Sequence, residues 1–261
     1  MFIDSTFNFE IWLTLCAVGF VAGLIDAIAG GGGMLTIPTL LTTGLPPHIA
    51  LGTNKLAASF GSLTASVTFY RKRLFDPHFW RFSILYTAIG AVAGTLAVGY
   101  LSSDFLEKFI PILIVITAIY TLFSKTVVTE IKGLPPLSPR LKTTQSIQGI
   151  LLGFYDGIAG PGTGAFWTAS SSALYKINIL LSCGLARSTN FVSNFCSLLT
   201  FFYFGYVNIM IGVSMGIFIM LGAAVGAHCA IKFGNRFIRP VFIIVVISMS
   251  VNLTYHAWFT Q

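Results

Sequence analysis

Apolar runs separated by short charged loops pattern the whole chain. Residues 9–29, 48–70, 79–100 and 105–123 each read as one hydrophobic helix, and a similar series follows residue 144. A shorter apolar piece, about 34–43 with Pro38 inside it, lies between the first two. At about 20 residues per crossing it is too short to span a bilayer alone. Several windows run about 18 residues or more without a charge, which is enough for a membrane-spanning helix. The pattern predicts an all-α polytopic membrane protein. A polar connector at 124–144, with Lys125, Glu130, Lys132, Arg140, Lys142 and three prolines, divides a first unit (1–123) from a second (145–261).

The two units repeat one plan. The first helix carries Asp26 and breaks on Gly30, Gly31, Gly32 and Gly33; the same phrase returns as Asp156 through Gly164, with Ile28, Ala29 and Gly30 matched by Ile158, Ala159 and Gly160. Thr53-Asn54 returns as Thr189-Asn190, Gly90/Gly94 as Gly222/Gly226, and Pro111 as Pro240. Four anchors in one order indicate an internal duplication of about four to five helical segments per copy, eight to ten in all. The basic loops change places between copies: Arg71, Lys72, Arg73 and Arg81 fill one loop of the first, and Lys232, Arg236 and Arg239 fill the next loop of the second. Lys and Arg mark cytoplasmic loops, so the copies read as inverted-topology repeats. Both termini then lie outside, which suits an N-terminus that holds Asp4 and Glu10 and no base before Lys55. Three crossings, or one crossing and a re-entrant hairpin at the glycines, satisfy the same parity.

Composition sharpens the class. Of 261 residues 55% are hydrophobic and 9% charged, where a soluble domain carries about 25% charged residues. The net charge of +7 sits in loops and does not indicate nucleic acid. Cys16, Cys183, Cys196 and Cys229 are scattered through apolar segments without Cys-x-x-Cys spacing, against a disulfide framework or zinc site. A cleaved signal peptide is disfavoured, because residues 1–10 lack a basic stretch.

A glycine break inside a lipid-soluble segment frees backbone groups that lipid cannot satisfy. Two such breaks in corresponding places point to a transporter's binding site, and the half-helix that follows offers N–H groups to an anion. Substrate-binding candidates are Gly30, Gly31, Gly32 and Gly33, then Gly160, Gly162 and Thr163. Thr53, Asn54, Lys55, Arg187, Thr189, Asn190 and Asn194 join them, the last two on a polar stripe with Ser193 and Ser197. Arg187 suits a bidentate oxyanion contact; the alternative is a snorkelling interface residue for it and for Lys55. Asp26 and Asp156 are candidates for proton or ion coupling. The alternatives are that each caps its own broken helix or pairs with Lys55 or Arg187, the pair Arg187–Asp156 stabilising the second break. A carboxylate facing an anion repels it unless it carries a proton. The Gly-x-x-x-Gly pairs at 19/23, 90/94, 149/153 and 222/226 read as helix-packing surfaces. No nucleophile–base set, metal-ligand cluster, ATP motif or cofactor motif is visible, so an enzyme is disfavoured.

In these residues the chain resembles the TauE/SafE family, described as sulfite and sulfonate exporters. The resemblance covers nearly the whole chain. It is carried by Asp26 through Gly33, Pro38, Gly44-x-Pro46, Ala50-Leu-Gly-Thr-Asn54, and more weakly by Asp156–Gly164 and Arg187–Asn190, where Pro161 and Thr163 replace glycines. It implies a secondary transporter, and export of sulfite or an organosulfonate across a bacterial inner membrane. A non-transporting membrane scaffold is the alternative, and the two differ in a simple way. A transporter places a polar cavity between the glycine turns, and a scaffold packs them dry.

Overall fold

The computed structural model describes residues 9–123 and 133–233. These form nine α-helices and no strand: α1 (Phe9–Ala29), α2 (Gly33–Thr42), α3 (Pro47–Arg71), α4 (Arg81–Gly99), α5 (Ser103–Phe123), α6 (Pro139–Ile158), α7 (Thr163–Tyr175), α8 (Ile179–Tyr203) and α9 (Ile209–Phe233). Helices α1, α4 and α9 are long and apolar enough to cross a membrane by length and composition. The protein is an all-α polytopic membrane protein. The expected match of Pro111 with Pro240, the bases Arg236 and Arg239, the last spans and the C-terminus lie outside the described residues.

Boundaries follow the breakers in the sequence, with one correction. Helix α6 begins at Pro139, inside the stretch expected to be connector up to 144. Ser138 caps it, its Oγ accepting the Leu141 N–H at 3.1 Å, and Pro139 fills the first helical position, where a missing N–H is harmless. The first turns of α6 are polar and exposed, which is why hydropathy places its start too late.

The short helices turn back. At 1.5 Å per residue α2 spans about 15 Å and α7 about 20 Å, half to two thirds of a hydrocarbon core. Leu40 and Leu45 share a core cluster with Leu15 near the middle of α1, while Ala65 and Phe69 share one with Ala27 and Ile28 at its end. Thus α2 doubles back along α1, and α3 then sets out alongside it. The second copy does the same. Gln148 of α6 donates to Ser171 of α7 at 3.1 Å and accepts from the Tyr175 hydroxyl at 2.5 Å, ten residues before the break that the chain has just passed.

Across the copies the packing is reciprocal. Helix α1 lies on α9 and α6 on α4, while the equivalent helices α3 and α8 pack on each other. These last two run antiparallel, since Ser66 Oγ meets Ser188 Oγ at 2.9 Å and Thr53 at the other end accepts the Asn208 N–H at 2.9 Å. The Gly-x-x-x-Gly pairs make both close contacts. A methyl at Gly23 would strike the Ile219 carbonyl, and one at Gly222 the Phe20 carbonyl. Equivalent additions at Gly94 and Gly153 would strike the backbones of Phe154 and Thr87. Helix axes this close need residues without side chains at the crossing.

Polarity is arranged inside out. Exposed surface is rich in large apolar side chains, such as Leu85, Ile89 and Leu96 on α4 and Leu221 and Val225 on α9, as expected of a face against lipid. The buried polar groups concentrate on α3 and α8, among them Asn54, Lys55, Arg187, Asn190, Ser193 and Asn194. Helices α3 and α8 pack on each other at the centre, shielded by their apolar neighbours.

Candidate functional site

The first break begins where α1 ends at Ala29. Gly30 takes φ of +86°, a left-handed conformation that costs a side-chain-bearing residue but not glycine. A side chain there would also strike the backbone of Gly164 and Ala165, because the two breaks touch: the Ala165 N–H donates to the Gly30 carbonyl at 3.2 Å. Gly32 precedes α2 as its cap and has no side chain to satisfy the helix end. The carboxylate of Asp26, six residues upstream, lies beside it instead and accepts the Gly32 N–H at 3.2 Å. Asp26 therefore caps the break that it precedes.

The second break is held more firmly. Gly160 and Gly162 both take left-handed φ, +72° and +73°. The Tyr155 hydroxyl donates to the Pro161 carbonyl at 2.7 Å and meets Thr117 Oγ1 at 2.7 Å. Asp156 is enclosed by donors: Lys55 Nζ at 2.9 Å, Thr163 Oγ1 at 3.2 Å, and the Ser193 hydroxyl on its other oxygen. Both Lys55 and Asp156 are almost wholly buried, with side chains 2% and 3% exposed.

Each acid is neutralised by a base of the other copy. Lys55 of α3 pairs with Asp156 of α6. Arg187 of α8 faces Asp26 of α1, its Nη1 donating to the Asp26 backbone carbonyl and lying 3.7 Å from the carboxylate. The expected pair Arg187–Asp156 is corrected on this point. Lys55 follows its Asn by one residue and Arg187 precedes its Asn by three, so in the repeat's frame they stand one helical turn apart on nearly the same face. Because α3 and α8 run antiparallel at the centre, that shared face carries each base to the opposite break.

Between the breaks lies a polar cavity of about 30 Å³. The first copy lines it with Asp26, Gly30, Gly32, Gly33, Asn54 and Lys55, and the second with Asp156, Gly160, Gly162, Thr163, Asn190 and Asn194. Asn54 Oδ1 accepts from Thr36 Oγ1 at 2.5 Å, and Asn194 Oδ1 from Lys55 Nζ at 3.2 Å. At about 10–15 Å³ per water, this space holds two or three waters. An organic anion enters only if the walls move.

Four expected residues are not on its lining. Gly31 is absent from it, and Arg187 lies behind the wall formed by Asp26 and Gly164. Thr53 holds the segment before α9 through Asn208, and Thr189 bonds back to the Leu185 carbonyl at 2.9 Å. Each Thr stands about 100° round its helix from the Asn that follows it, and its hydroxyl is taken up there by the Asn208 N–H or by its own helix backbone instead of the cavity. Thr36 and Gly164 do line it and were not foreseen. Gly164 has a signal in the glycine-rich phrase. Thr36 has none, since its counterpart in the second copy is Phe166.

A model of the family described as Sulfite exporter TauE/SafE matches residues 15–253. A "Probable membrane transporter protein" of Haemophilus influenzae is 37% identical over 250 residues, covering 94% of this chain and 95% of its own. "Probable membrane transporter protein ORF9" of a Sinorhizobium species is 35% identical over 94% of this chain and 93% of its own. For "Probable membrane transporter protein YfcA" of Escherichia coli K12 the figures are 35%, 91% and 87%. No solved structure matches the chain. The glycine-turn phrase that carries the resemblance and builds the cavity lies within the matched residues, and the chain belongs to the TauE/SafE family.

Proposed function

We propose that this protein is a secondary transporter of a small anion, and that the cavity between the glycine turns is its binding site. The observation that carries the reading is the cavity itself: it joins two broken helices, three Asn side chains and the Lys55–Asp156 pair at the contact of the two copies. A scaffold would pack these turns dry. Backbone N–H groups at the starts of α2 and α7, with Lys55 and Arg187 close by, favour an oxyanion. The family description and the names of the relatives support transport; sulfite or an organosulfonate is the cargo class we infer, and export the direction. The reciprocal packing and the antiparallel α3 and α8 support inverted repeats that rock about the site to expose it to each side in turn. In this reading the protein resides in the inner membrane with both termini outside, and Asp26 or Asp156 couples a proton to the anion.

The test is efflux from proteoliposomes. Vesicles loaded with sulfite, methanesulfonate or acetate are expected to release the sulfur anions faster than protein-free vesicles, and acetate no faster. Equal leakage of all three from both preparations overturns the transporter reading.

A further inference from the structure

The two acids match in sequence and differ in their surroundings. Asp156 has a lysine, a serine and a threonine on its carboxylate and is sealed. Asp26 has one backbone N–H at 3.2 Å and an arginine at 3.7 Å, beyond hydrogen-bonding distance, and its side chain is 20% exposed towards the cavity it lines. Arg187 is wholly buried; its Nε and Nη2 find no oxygen acceptor, and the buried Cys183 thiol is the weak partner beside its guanidinium. Two donors of a buried guanidinium without an oxygen acceptor are a costly arrangement. The nitrogen nearest the cavity wall, Nη1, lies 3.7 Å from the Asp26 carboxylate, so an anion at the position of that carboxylate meets the guanidinium there.

Granting that the cavity is the anion site, we propose that Asp26 is a built-in occupant of it. Its carboxylate and the transported anion compete for the Gly32 N–H and the Arg187 guanidinium, so the anion binds together with a proton taken up by Asp26. The charges close on this account. Lys55, Arg187, Asp26 and Asp156 sum to zero, and an incoming monovalent anion leaves one negative charge in excess unless one acid is neutralised. Asp156 is committed to Lys55; Asp26 is free to change. Among the described residues, the charged groups beside Asp26 or on the cavity with it are Arg187 from α8, Lys55 from α3 and Asp156 from α6, together with Thr163 and the Gly164 backbone from α7, Gly32 from α2, and only apolar Ile219 from α9. None of them offers a second acid free to take the proton.

The experiment measures methanesulfonate binding to the purified full-length protein by calorimetry from about pH 5 to about pH 8. Methanesulfonate stays ionised throughout, so any pH dependence belongs to the protein. The wild type is expected to lose affinity about tenfold per pH unit above the titration of Asp26, the slope for one linked proton. Asp26→Asn is expected to bind with a flat pH profile, at least as tightly as the wild type at low pH. A variant that keeps the wild-type slope overturns the proposal. If Asp26→Asn fails to fold, proton uptake by the wild type decides: one proton per anion bound in weak buffer supports the competition, and none overturns it. Absence of methanesulfonate binding at every pH, by wild type and variant alike, instead removes the sulfonate-site reading on which the proposal rests.

Discussion

Lys55 Nζ donates to both the backbone carbonyl and the carboxylate of Asp156, at 2.5 and 2.9 Å. One ammonium thus stabilises the end of α6 and the acid that precedes its break, from a helix 101 residues earlier in the chain. Removing one partner of a buried pair leaves the other charge unpaired, at a cost of about 3–5 kcal/mol, whereas removing both is far milder. Lys55→Met is therefore expected to lower thermal stability in detergent strongly, and Lys55→Met with Asp156→Asn to recover most of the loss. A double variant no more stable than Lys55→Met would show that the two residues act separately.

Arg187 calls for a different pairing of substitutions. Its carboxylate neighbour is Asp26, so Arg187→Gln with Asp26→Asn is the combination that restores charge balance. If Arg187 only stabilises the first break, this double variant regains both folding and anion binding. If Arg187 holds the anion, the double variant folds and still fails to bind, a loss typically of about 2–5 kcal/mol for a buried charge partner. The second outcome is expected. Arg187→Lys should weaken binding less, since it keeps the charge and loses the planar fork. Binding measured beside melting temperature separates the accounts.

The glycines divide into two groups with opposite signatures. Gly32 has an ordinary helical φ of −54°, so valine is tolerated by the backbone there, but its Cβ would lie 2.8 Å from that of Asp26 and 3.0 Å from the Ala22 carbonyl. Gly32→Val should insert normally and lose transport, because its side chain crowds the cavity lining beside the Gly32 N–H that the anion needs. Gly94→Val meets the Phe154 carbonyl at a helix crossing, where overpacking costs about 1–3 kcal/mol or more. It should reduce yield and melting temperature first. Vesicle flux normalised to inserted protein distinguishes the two, and undiminished flux in Gly32→Val would reduce that turn to packing.

Side-chain labelling tests the orientation. After Cys16, Cys183, Cys196 and Cys229 are replaced, a single cysteine is placed at His78 or at Tyr203, both exposed. In intact cells a membrane-impermeant thiol reagent is expected to reach Tyr203→Cys and to spare His78→Cys until the membrane is opened. The reverse pattern would invert the protein; equal labelling of both would sink the exchange of basic loops on which the inverted reading rests.

Much of this architecture was legible in the chain. Glycines and prolines end helices for local reasons, so the bounds of α1 to α5 follow from the sequence to within a residue or two. The duplicated Asp and glycine phrases locate the cavity because a break in an apolar helix must find polar company. The start of α6 was also written there, as Ser138 before Pro139, but in polar residues that hydropathy passes over. What the sequence does not carry is partnership. Which base meets which acid depends on how α3 and α8 cross, a relation between residues more than a hundred positions apart, and the outward turn of Thr53 and Thr189 becomes visible only once the helix phase is known.

The exchange of charges between copies also sets an order of manufacture. Asp26 emerges from the ribosome 161 residues before the arginine that meets it, and Lys55 likewise precedes its acid. Through most of translation the first copy sits in the bilayer with an unmatched acid and base, each disfavoured there by about 2.5–3.5 kcal/mol on insertion scales. Newly made helices must then rest loosely, with water or the insertion machinery around α1 and α3, until α6 and α8 arrive and both bridges close together. Such a chain has no stable half-product: synthesised as two separate polypeptides, neither portion should survive membrane proteolysis alone, and each should be rescued by the other.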